Sequence, residues 1–452
     1  MNITIAGAGT MGRDIAGQLC RKGHDVTIID KNNEVLNNAV RSMDVIGFCG
    51  NCVSPQVLKE SEIHAAKVFI AATGSDETNL ISCLLAEKAG AEHTIALLRD
   101  PDYRPDTNIW KESLGLSLAI HPDYVTAEEI YRVLQFPAAS HMEIFPDSQL
   151  ELLTFRIPPN CKLDNVALRD LTKIAGQKVL ICTIEREGTY IIPDGTSVLK
   201  SGDMVALTGL PDNLRHFFLA AGLYKKPVQN VLVLGGSRSA VYLYQLLENT
   251  GVKMTIIENN PERCEYLSER LRKADIICAD GTAISVLQEN GIRTTDSFIA
   301  MTGSDENNII LSLYAQNSGV NKIVTKVKND KFSKLLKDVL PESSLSPLRL
   351  VTQRVDGYIR GLEHVSGKSR IEALYYLGNQ QVTATQYLVG SKTKCIGRSL
   401  AEMKLKHGVL VGSVTRGKEH IVPDGHTVLM PEDRVIIIST DPRIHELDDI
   451  LA

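Results

Sequence analysis

No apolar run in this chain approaches the roughly 20 residues that a membrane-spanning helix needs. The longest, such as Val435-Ile436-Ile437-Ile438, are strand-sized. Aromatic residues make up only 5%, with a single tryptophan, Trp110, which disfavours stacking platforms for single-stranded nucleic acid or sugars. Basic charge is not in excess: 49 lysines and arginines against 54 acids leave a net charge of −5. A global cationic field for DNA, RNA or an anionic membrane is thereby excluded, and no nucleic-acid partner is expected. The 11 histidines are scattered, without an H-E-x-x-H pair, and neither a G-x-S-x-G elbow nor a Walker A loop is found. The 9 cysteines are an odd count without disulfide-scaffold spacing, which points to reduced thiols in a cytosol. Met1-Asn2-Ile3-Thr4-Ile5-Ala6 runs straight into a strand, so no signal peptide is expected.

What is there is ordinary globular material, 43% hydrophobic and 23% charged over 452 residues. Length alone implies about three domains. The chain, however, repeats itself. Val26-Thr27-Ile28-Ile29-Asp30 reappears half a chain later as Met254-Thr255-Ile256-Ile257-Glu258. Thr73-Gly74-Ser75-Asp76-Glu77-Thr78-Asn79 returns as Thr302-Gly303-Ser304-Asp305-Glu306-Asn307-Asn308. Pro193-Asp194-Gly195 returns as Pro423-Asp424-Gly425 at nearly the same offset. Three matched segments whose spacings agree to within two residues mean a tandem duplication.

Each half divides again. Its first part alternates apolar strands (Asn2 to Ala6, Asp25 to Asp30, Val68 to Ala72, His93 to Leu98) with helical stretches (Thr10 to Arg21, Glu77 to Ala89). That is the pattern of a parallel α/β sheet. A further segment near Asn108 to Leu114 follows Pro101 and Pro105, and another helix is expected over Asp123 to Leu134. The second part has short β-like runs split by Pro-Asp-Gly and Ser-Gly-Asp turns, with a helical turn or two at Asn165 to Leu171. The expected fold is α/β: two Rossmann-like, doubly wound parallel-sheet domains, each followed by a small α+β module. Boundaries fall near Phe136-Pro137, Lys226-Pro227 and Gly361 to Gly367, giving modules 1–124, 140–226, 228–348 and 368–452.

Gly7-Ala8-Gly9-Thr10-Met11-Gly12 matches G-x-G-x-x-G between a strand and a helix, the context the motif requires. Its glycines allow a tight turn, close approach of a pyrophosphate and helix–strand packing. Free N–H groups and the helix dipole then supply an anion site. Asp30 ends the second strand about 20 residues on, where a carboxylate binds ribose hydroxyls and repels a 2′-phosphate. The second copy, Gly235-Gly236-Ser237-Arg238-Ser239-Ala240, is altered. Ser237 adds a side chain at the phosphate approach, while Ala240 is tolerated for packing. Glu258 keeps an acid at the ribose position, and Arg238 either contacts a phosphate or faces solvent. Whether this second loop binds stays open.

Ligands of such folds sit beyond the carboxyl ends of the strands. Thr73-Gly74 and Thr302-Gly303 lie there, as turns or as ligand contacts, with Asp76 and Asp305 read as helix caps. Arg99 neutralises phosphate or is a surface arginine, and Asp280, matched by Asn51, is placed to reach an adenosine group. Cys49-Gly50-Asn51-Cys52 is a C-x-x-C without a second cysteine pair, and its duplicate keeps one cysteine, so neither metal nor redox chemistry is expected. No acid/base set accompanies the cofactor-type loops, so no catalytic residue is assigned. A sensor is favoured over a nicotinamide-dependent oxidoreductase with duplicated domains, and over a scaffold with vestigial sites.

The loop Gly7 to Gly12, Asp30, Ala72 to Asn79 and Ile120-His121-Pro122 together resemble the RCK domain, which regulates potassium conductance. Pro193-Asp194-Gly195-Thr196 and Gly202-Asp203 resemble that family's C-terminal subdomain. Two such pairs in one chain are similar to the TrkA-like regulatory subunits of Trk potassium uptake. The resemblance implies NAD(H) as ligand of the first lobe, with ATP or ADP competing. It implies Gly7, Gly9, Thr10, Met11, Asp30, Thr73, Gly74 and Arg99 at the first site, and Gly235, Ser237, Glu258, Thr302 and Gly303 at the second. It further implies a ring-like homo-oligomer and a membrane-embedded potassium pore subunit as partner. The expected location is cytoplasmic, at the inner face of the membrane. Three departures stand out. Leu97 occupies a position where the family often has arginine, Asn51 replaces an acid, and Ser237 with Ala240 alters the second loop. The helix after Pro122 is read as a lever or pairing element, against a helix packed on its own sheet.

Overall fold

The computed structural model describes residues 1–103, 114–135, 141–144, 151–176, 178–223, 228–329, 344–363, 369–377, 381–417, 419–441 and 443–452. All but the last residue of the segment Asn108 to Leu114 lies outside the described residues, as do the expected boundaries at Phe136-Pro137 and Lys226-Pro227. The chain divides into two compact units. One joins Met1–Tyr131 to Gln229–Val355, and the other joins Arg132–Val228 to Asp356–Ala452.

The first unit holds two lobes of one design. In the first lobe, β1 (Asn2–Ala6), α1 (Thr10–Arg21), β2 (Asp25–Asp30), α2 (Asn33–Ser42), β3 (Ile46–Cys49) and α3 (Pro55–Glu60) are followed by β4 (Val68–Ala71) and α4 (Asp76–Lys88). β5 (His93–Leu97), β6 (Leu118–Ile120) and α5 (Pro122–Gln135) complete it. The sheet order is β3-β2-β1-β4-β5-β6, all parallel, the doubly wound order that places a crevice at the β1/β4 switch point. β1 and β4 are buried on both faces, which is why they read as unbroken apolar runs rather than alternating ones.

Two glycines in the loop have steric reasons. Gly7 has φ +105°, and a Cβ there would meet the Ala72 carbonyl oxygen at 2.7 Å. A Cβ on Gly12 would lie 1.9 Å from the Gly7 carbonyl oxygen. Gly12→Ala should therefore cost the first lobe about 1–3 kcal/mol of overpacking, measured as a lowered urea midpoint of the full chain.

In the small-module unit, β7 (His141–Ile144), β8 (Glu151–Arg156), α6 (Leu171–Ala175), β9 (Leu180–Arg186), β10 (Thr189–Ile191), β11 (Met204–Gly209) and α7 (Pro211–Ala220) form the first module. Its sheet, β10-β9-β11-β8-β7, is antiparallel. The expected turns at Asn165 to Leu171 resolve into a 3-10 turn at Leu168–Asp170 running into α6. Helix α7 was not legible beforehand. Its Phe217 and Phe218 stack edge-on against Phe155 of β8, at 6.0 and 5.1 Å between centroids.

The second lobe repeats the first. It runs β12 (Asn230–Leu234), α8 (Arg238–Leu247), β13 (Lys253–Glu258), α9 (Pro261–Arg270), β14 (Ala274–Cys278), α10 (Ile284–Glu289), β15 (Ser297–Ala300), α11 (Asp305–Asn317), β16 (Lys322–Lys326), β17 (Ser344–Leu345) and α12 (Pro347–Glu363). Its strand order, β14-β13-β12-β15-β16-β17, is that of the first lobe. Gly361, read from sequence as the start of a linker, lies inside α12.

The second small module comprises β18 (Ser369–Leu377), β19 (Val382–Val389), β20 (Val409–Arg416), β21 (Glu419–Ile421) and β22 (Arg434–Ser439), in the order β18-β19-β22-β20-β21. The two small modules share an apolar core in which Leu152, Cys182 and Ala206 meet Ala384, Ile436 and Ile438. Each has its own core on the other face of its sheet.

The two lobes are joined by their last helices. α5 of the first lobe lies on the second: Asp123 Oδ1 accepts a hydrogen bond from Ser239 Oγ at 2.7 Å, and Tyr124 meets Tyr242 edge-on at 5.5 Å. α12 returns the contact, its Thr352 Oγ1 accepting from Gln18 Nε2 of α1 at 3.1 Å. Arg354 and Glu128 pair where the two helices meet, at 2.5 Å. The helix after Pro122 is thus a pairing element between lobes. Among the described residues, no helix is long and apolar enough to cross a membrane.

Candidate nucleotide site

A cavity of about 820 Å³ opens at the carboxyl edge of the first sheet. That is the size range of small-molecule and cofactor sites. Gly7, Gly9, Thr10, Met11, Asp30, Thr73, Gly74 and Arg99 all line it. Ala8 and Gly12 serve it from behind. The Ala8 N–H is held by Asp30 Oδ2 at 2.6 Å, and Gly12 packs on Gly7. Asp30 Oδ1 accepts from the Asn32 N–H at 2.8 Å, so this carboxylate ties the Gly7–Gly12 loop to the start of α2.

The wall beyond Asp30 is made by Lys31, Gly50, Asn51, Cys52 and Val53. Cys49 is exposed and Cys52 buried, and burial pushes the Cys52 thiol above its ordinary pKa. A thiol in that state is a weak nucleophile and a weak metal ligand. No group of three or more His, Cys, Asp and Glu suited to a metal occurs among the described residues.

Asp76 and Asp305, expected from sequence as helix caps, have another task. The caps are Ser75 and Ser304, whose hydroxyls accept from the N–H groups of Thr78 and Asn307. The Asp76 carboxylate accepts instead from the Arg99 and Asp100 N–H groups, both at 2.7 Å. Asp305 does the same for Lys328 and Asn329. Asn79 completes the clamp, with Oδ1 accepting from the Thr73 N–H and hydroxyl and Nδ2 donating to the Leu97 carbonyl. The repeated T-G-S-D-E-x-N segment therefore fastens the β4–α4 turn to the end of β5. It positions Arg99 without reaching the cavity through Asp76. The signal for this was the exact repetition of Asp and Asn in both copies.

Sequence reasoning also missed a contribution from the second lobe. Lys328, Pro347 and Leu348 line the first-lobe cavity. The Lys328 ammonium donates to the Gly303 carbonyl at 2.8 Å. Spacing within one lobe cannot reveal such residues, because they arrive through the pairing of α5 and α12.

The second loop is built alike but filled differently. Gly235 has φ +100° and packs on Thr302, and Glu258 Oε2 accepts from the Gly236 N–H at 2.7 Å, as Asp30 does for Ala8. Arg263 Nε donates to the Gly236 carbonyl at 2.7 Å, and a Cβ on Gly236 would lie 2.4 Å from Leu267. The corresponding residues of α2 are the smaller Val35 and Ala39. Ser237 Oγ contacts Met301 Sδ at 3.3 Å, while Asp280 caps its own turn by accepting from Thr282. Arg238 opens α8 and Gly303 follows β15, so the predicted residues of the second site do gather at one sheet edge.

Comparison with known proteins agrees with this architecture. The TrkA-N domain model matches residues 3–122 and 231–346, and the TrkA-C domain model matches 152–222 and 384–452. The chain is 31% identical over 451 residues to a Trk system potassium uptake protein TrkA homolog of Archaeoglobus fulgidus, covering 100% of both. It is 27% identical to the Trk system potassium uptake protein TrkA of Vibrio alginolyticus, covering 97% of this chain and 95% of that one. Among solved structures, the fold is similar to one described as "GsuK channel bound to NAD", with TM-score 0.65 at 16% identity over 99% of this chain and 78% of that one. The GsuK RCK domain gives TM-score 0.65 at 17% identity, covering 97% of this chain and 92% of that one. With both domain types matched in tandem and a relative matched end to end, the chain belongs to the TrkA family of Trk-system potassium uptake proteins, a potassium-transport family built on paired TrkA-N and TrkA-C domains.

Proposed function

We infer that this chain is a cytoplasmic, nucleotide-sensing regulatory subunit that gates a membrane-embedded potassium pore. The first lobe binds NAD(H), with ATP and ADP competing for the same loop. One observation carries the reading. The cavity that holds Asp30 and the phosphate loop is completed by Lys328, Pro347 and Leu348 of the other lobe. A ligand there touches both lobes, so its binding energy differs between arrangements of the pair. Only such a difference shifts an equilibrium. A coupling of about 1–3 kcal/mol changes pore opening roughly 5- to 150-fold.

In this reading the residues act by binding, not by turnover. N–H groups at the start of α1 receive phosphate oxygens, Arg99 and Lys328 balance their charge, and Asp30 accepts from ribose hydroxyls. The chain works as a ring-like homo-oligomer at the inner membrane face, with modules 1–124, 140–226, 228–348 and 368–452.

Titration calorimetry with NAD⁺, NADH, ADP and ATP tests the sensor, and co-purification with a membrane potassium pore subunit tests the partner. Saturable binding without NADH consumption in a substrate screen is expected. Turnover with a small substrate would make the chain an oxidoreductase instead.

A further inference from the structure

The two lobes cap each other's phosphate loops with the first turn of α5 or α12, and the two caps differ in charge. At the first loop the cap is Pro347-Leu348, and Leu348 lines the cavity as an apolar wall. At the second loop the equivalent pair is Pro122-Asp123, and the carboxylate of Asp123 accepts the Ser239 hydroxyl at 2.7 Å. Ser239 is in the first turn of α8, at the position that Met11 holds in the first lobe. A carboxylate beside that turn stands where a helix N-terminus receives an anion.

We propose that Asp123, held at the Ser239 hydroxyl, is an internal anion that stands against the second loop, so that of the two loops only the first takes a nucleotide.

Charges around the position support this. Lys326 ends β16 at the place where the first lobe has Leu97, and its ammonium donates to the Met301 carbonyl at 2.8 Å. Burial lowers its pKa, Lys328 adds to that, and Asp123 together with Asp305 works against both. The second lobe thus carries a lysine where the first lobe has leucine, and Asp123 of the neighbouring lobe adds a compensating negative charge to its surroundings. A phosphate arriving at the second loop would meet Asp123 as a like charge, and like-charge juxtaposition is strongly unfavourable. The same carboxylate ties α5 to α8. Anion exclusion and lobe pairing are therefore one contact, and the duplicated site has become a fixed joint.

The inference rests on the nucleotide reading of the first lobe, and the experiment separates the two. ADP and adenosine are titrated calorimetrically into four full-length forms: wild type, Asp30→Ala, Asp123→Asn and the double variant. Asparagine keeps the bond from Ser239 and removes the charge, so the lobes stay paired. One ADP per wild-type chain and two per Asp123→Asn chain are expected. ADP binding at the first loop should weaken about 10- to 100-fold in Asp30→Ala, and a tight site, one per chain, should return in the double variant. Because the effect is electrostatic, Asp123→Asn should tighten ADP at the second loop about 10-fold or more, with little change for adenosine. Two ADP per wild-type chain, or no gain with Asp123→Asn in either background, would overturn the proposal. Absence of wild-type binding would overturn the first-site reading alone, since the double variant still reports on the second loop. The converse exchange gives a second readout: Leu348→Asp should abolish ADP binding at the first loop while Leu348→Asn retains it. Equal loss in both would count against charge as the cause.

Discussion

Replacing Arg186 with methionine is expected to cost the small-module unit about 3 kcal/mol of stability, the low end for stripping one partner from a buried pair. The Asp203 carboxylate is 2% exposed and receives both arms of Arg186, at 2.8 and 2.7 Å, besides the Lys200 N–H. Arg186 also donates to the Val198 carbonyl, tying β9 to the turn that follows Pro193-Asp194-Gly195. Methionine fills part of the volume but leaves a buried charge without its partner. The duplicate, Arg416 on Asp433, is arranged the same way, so Arg416→Met should cost a similar amount. Urea unfolding of each variant measures this, and a shift no larger than for a surface arginine would refute it. The pH dependence has a defined sign. Burial by itself would raise the Asp203 pKa, but Arg186 and the Lys200 N–H outweigh it and hold the carboxyl below its ordinary range. Stability from a depressed carboxylate is present above its unfolded pKa, about 3.9, and is lost as pH falls through the folded value. The deficit of Arg186→Met should therefore be full near neutrality, begin to shrink as pH falls through the carboxyl's burial-raised pKa in the variant, and go on shrinking down to the depressed pKa in wild type.

Asp30→Ala is expected to weaken NAD⁺ binding about 10- to 100-fold, the worth of hydrogen bonds to a charged acceptor. Two losses combine. The ribose hydroxyls lose their acceptor, and the N–H groups of Ala8 and Asn32, held by this carboxylate at 2.6 and 2.8 Å, lose theirs. The second loss loosens the loop whose N–H groups must face the phosphates. Asp30→Asn separates the contributions, because its carbonyl oxygen replaces one acceptor but not the charge. Without the carboxylate, discrimination against a 2′-phosphate should also fall, so the ratio of NADP⁺ to NAD⁺ affinity rises in Asp30→Ala. Calorimetric titration measures all three, and undiminished NAD⁺ affinity would remove Asp30 from the site.

Much of this was legible beforehand because it is local. A strand, a glycine turn and a helix announce the strand–loop–helix unit within a dozen residues, and the acid ending β2 follows at a fixed distance. The duplication made every such signal appear twice. Helix α7 opens on Pro211, and Pro at the first helical position marks a start as readily as a stop, so the local signal is ambiguous. Asp76 and Asp305 were misread because a carboxylate at a helix start is usually a cap. Their partners, Arg99 with Asp100 and Lys328 with Asn329, follow the next strand in each lobe. Leu97 looked like a missing cation, and the structure places charge from elsewhere: Lys328 reaches the first cavity from the second lobe.

The sequence by itself determined the duplication, the doubly wound lobes with their small modules, the loop glycines and the acid that ends β2, all set by short-range pattern and by one long repeat. Only the tertiary structure decided how the duplicates use each other. Because α5 and α12 cross between lobes, a residue of one copy becomes a wall or a counter-charge in the other. The two loops already differ within themselves, at Ser237 and Ala240, and the helices laid against them differ again, with leucine at one and aspartate at the other. The exchange of Leu348 for Asp123 gains a neighbour in the other copy only when the helix carrying it is laid against the opposite lobe.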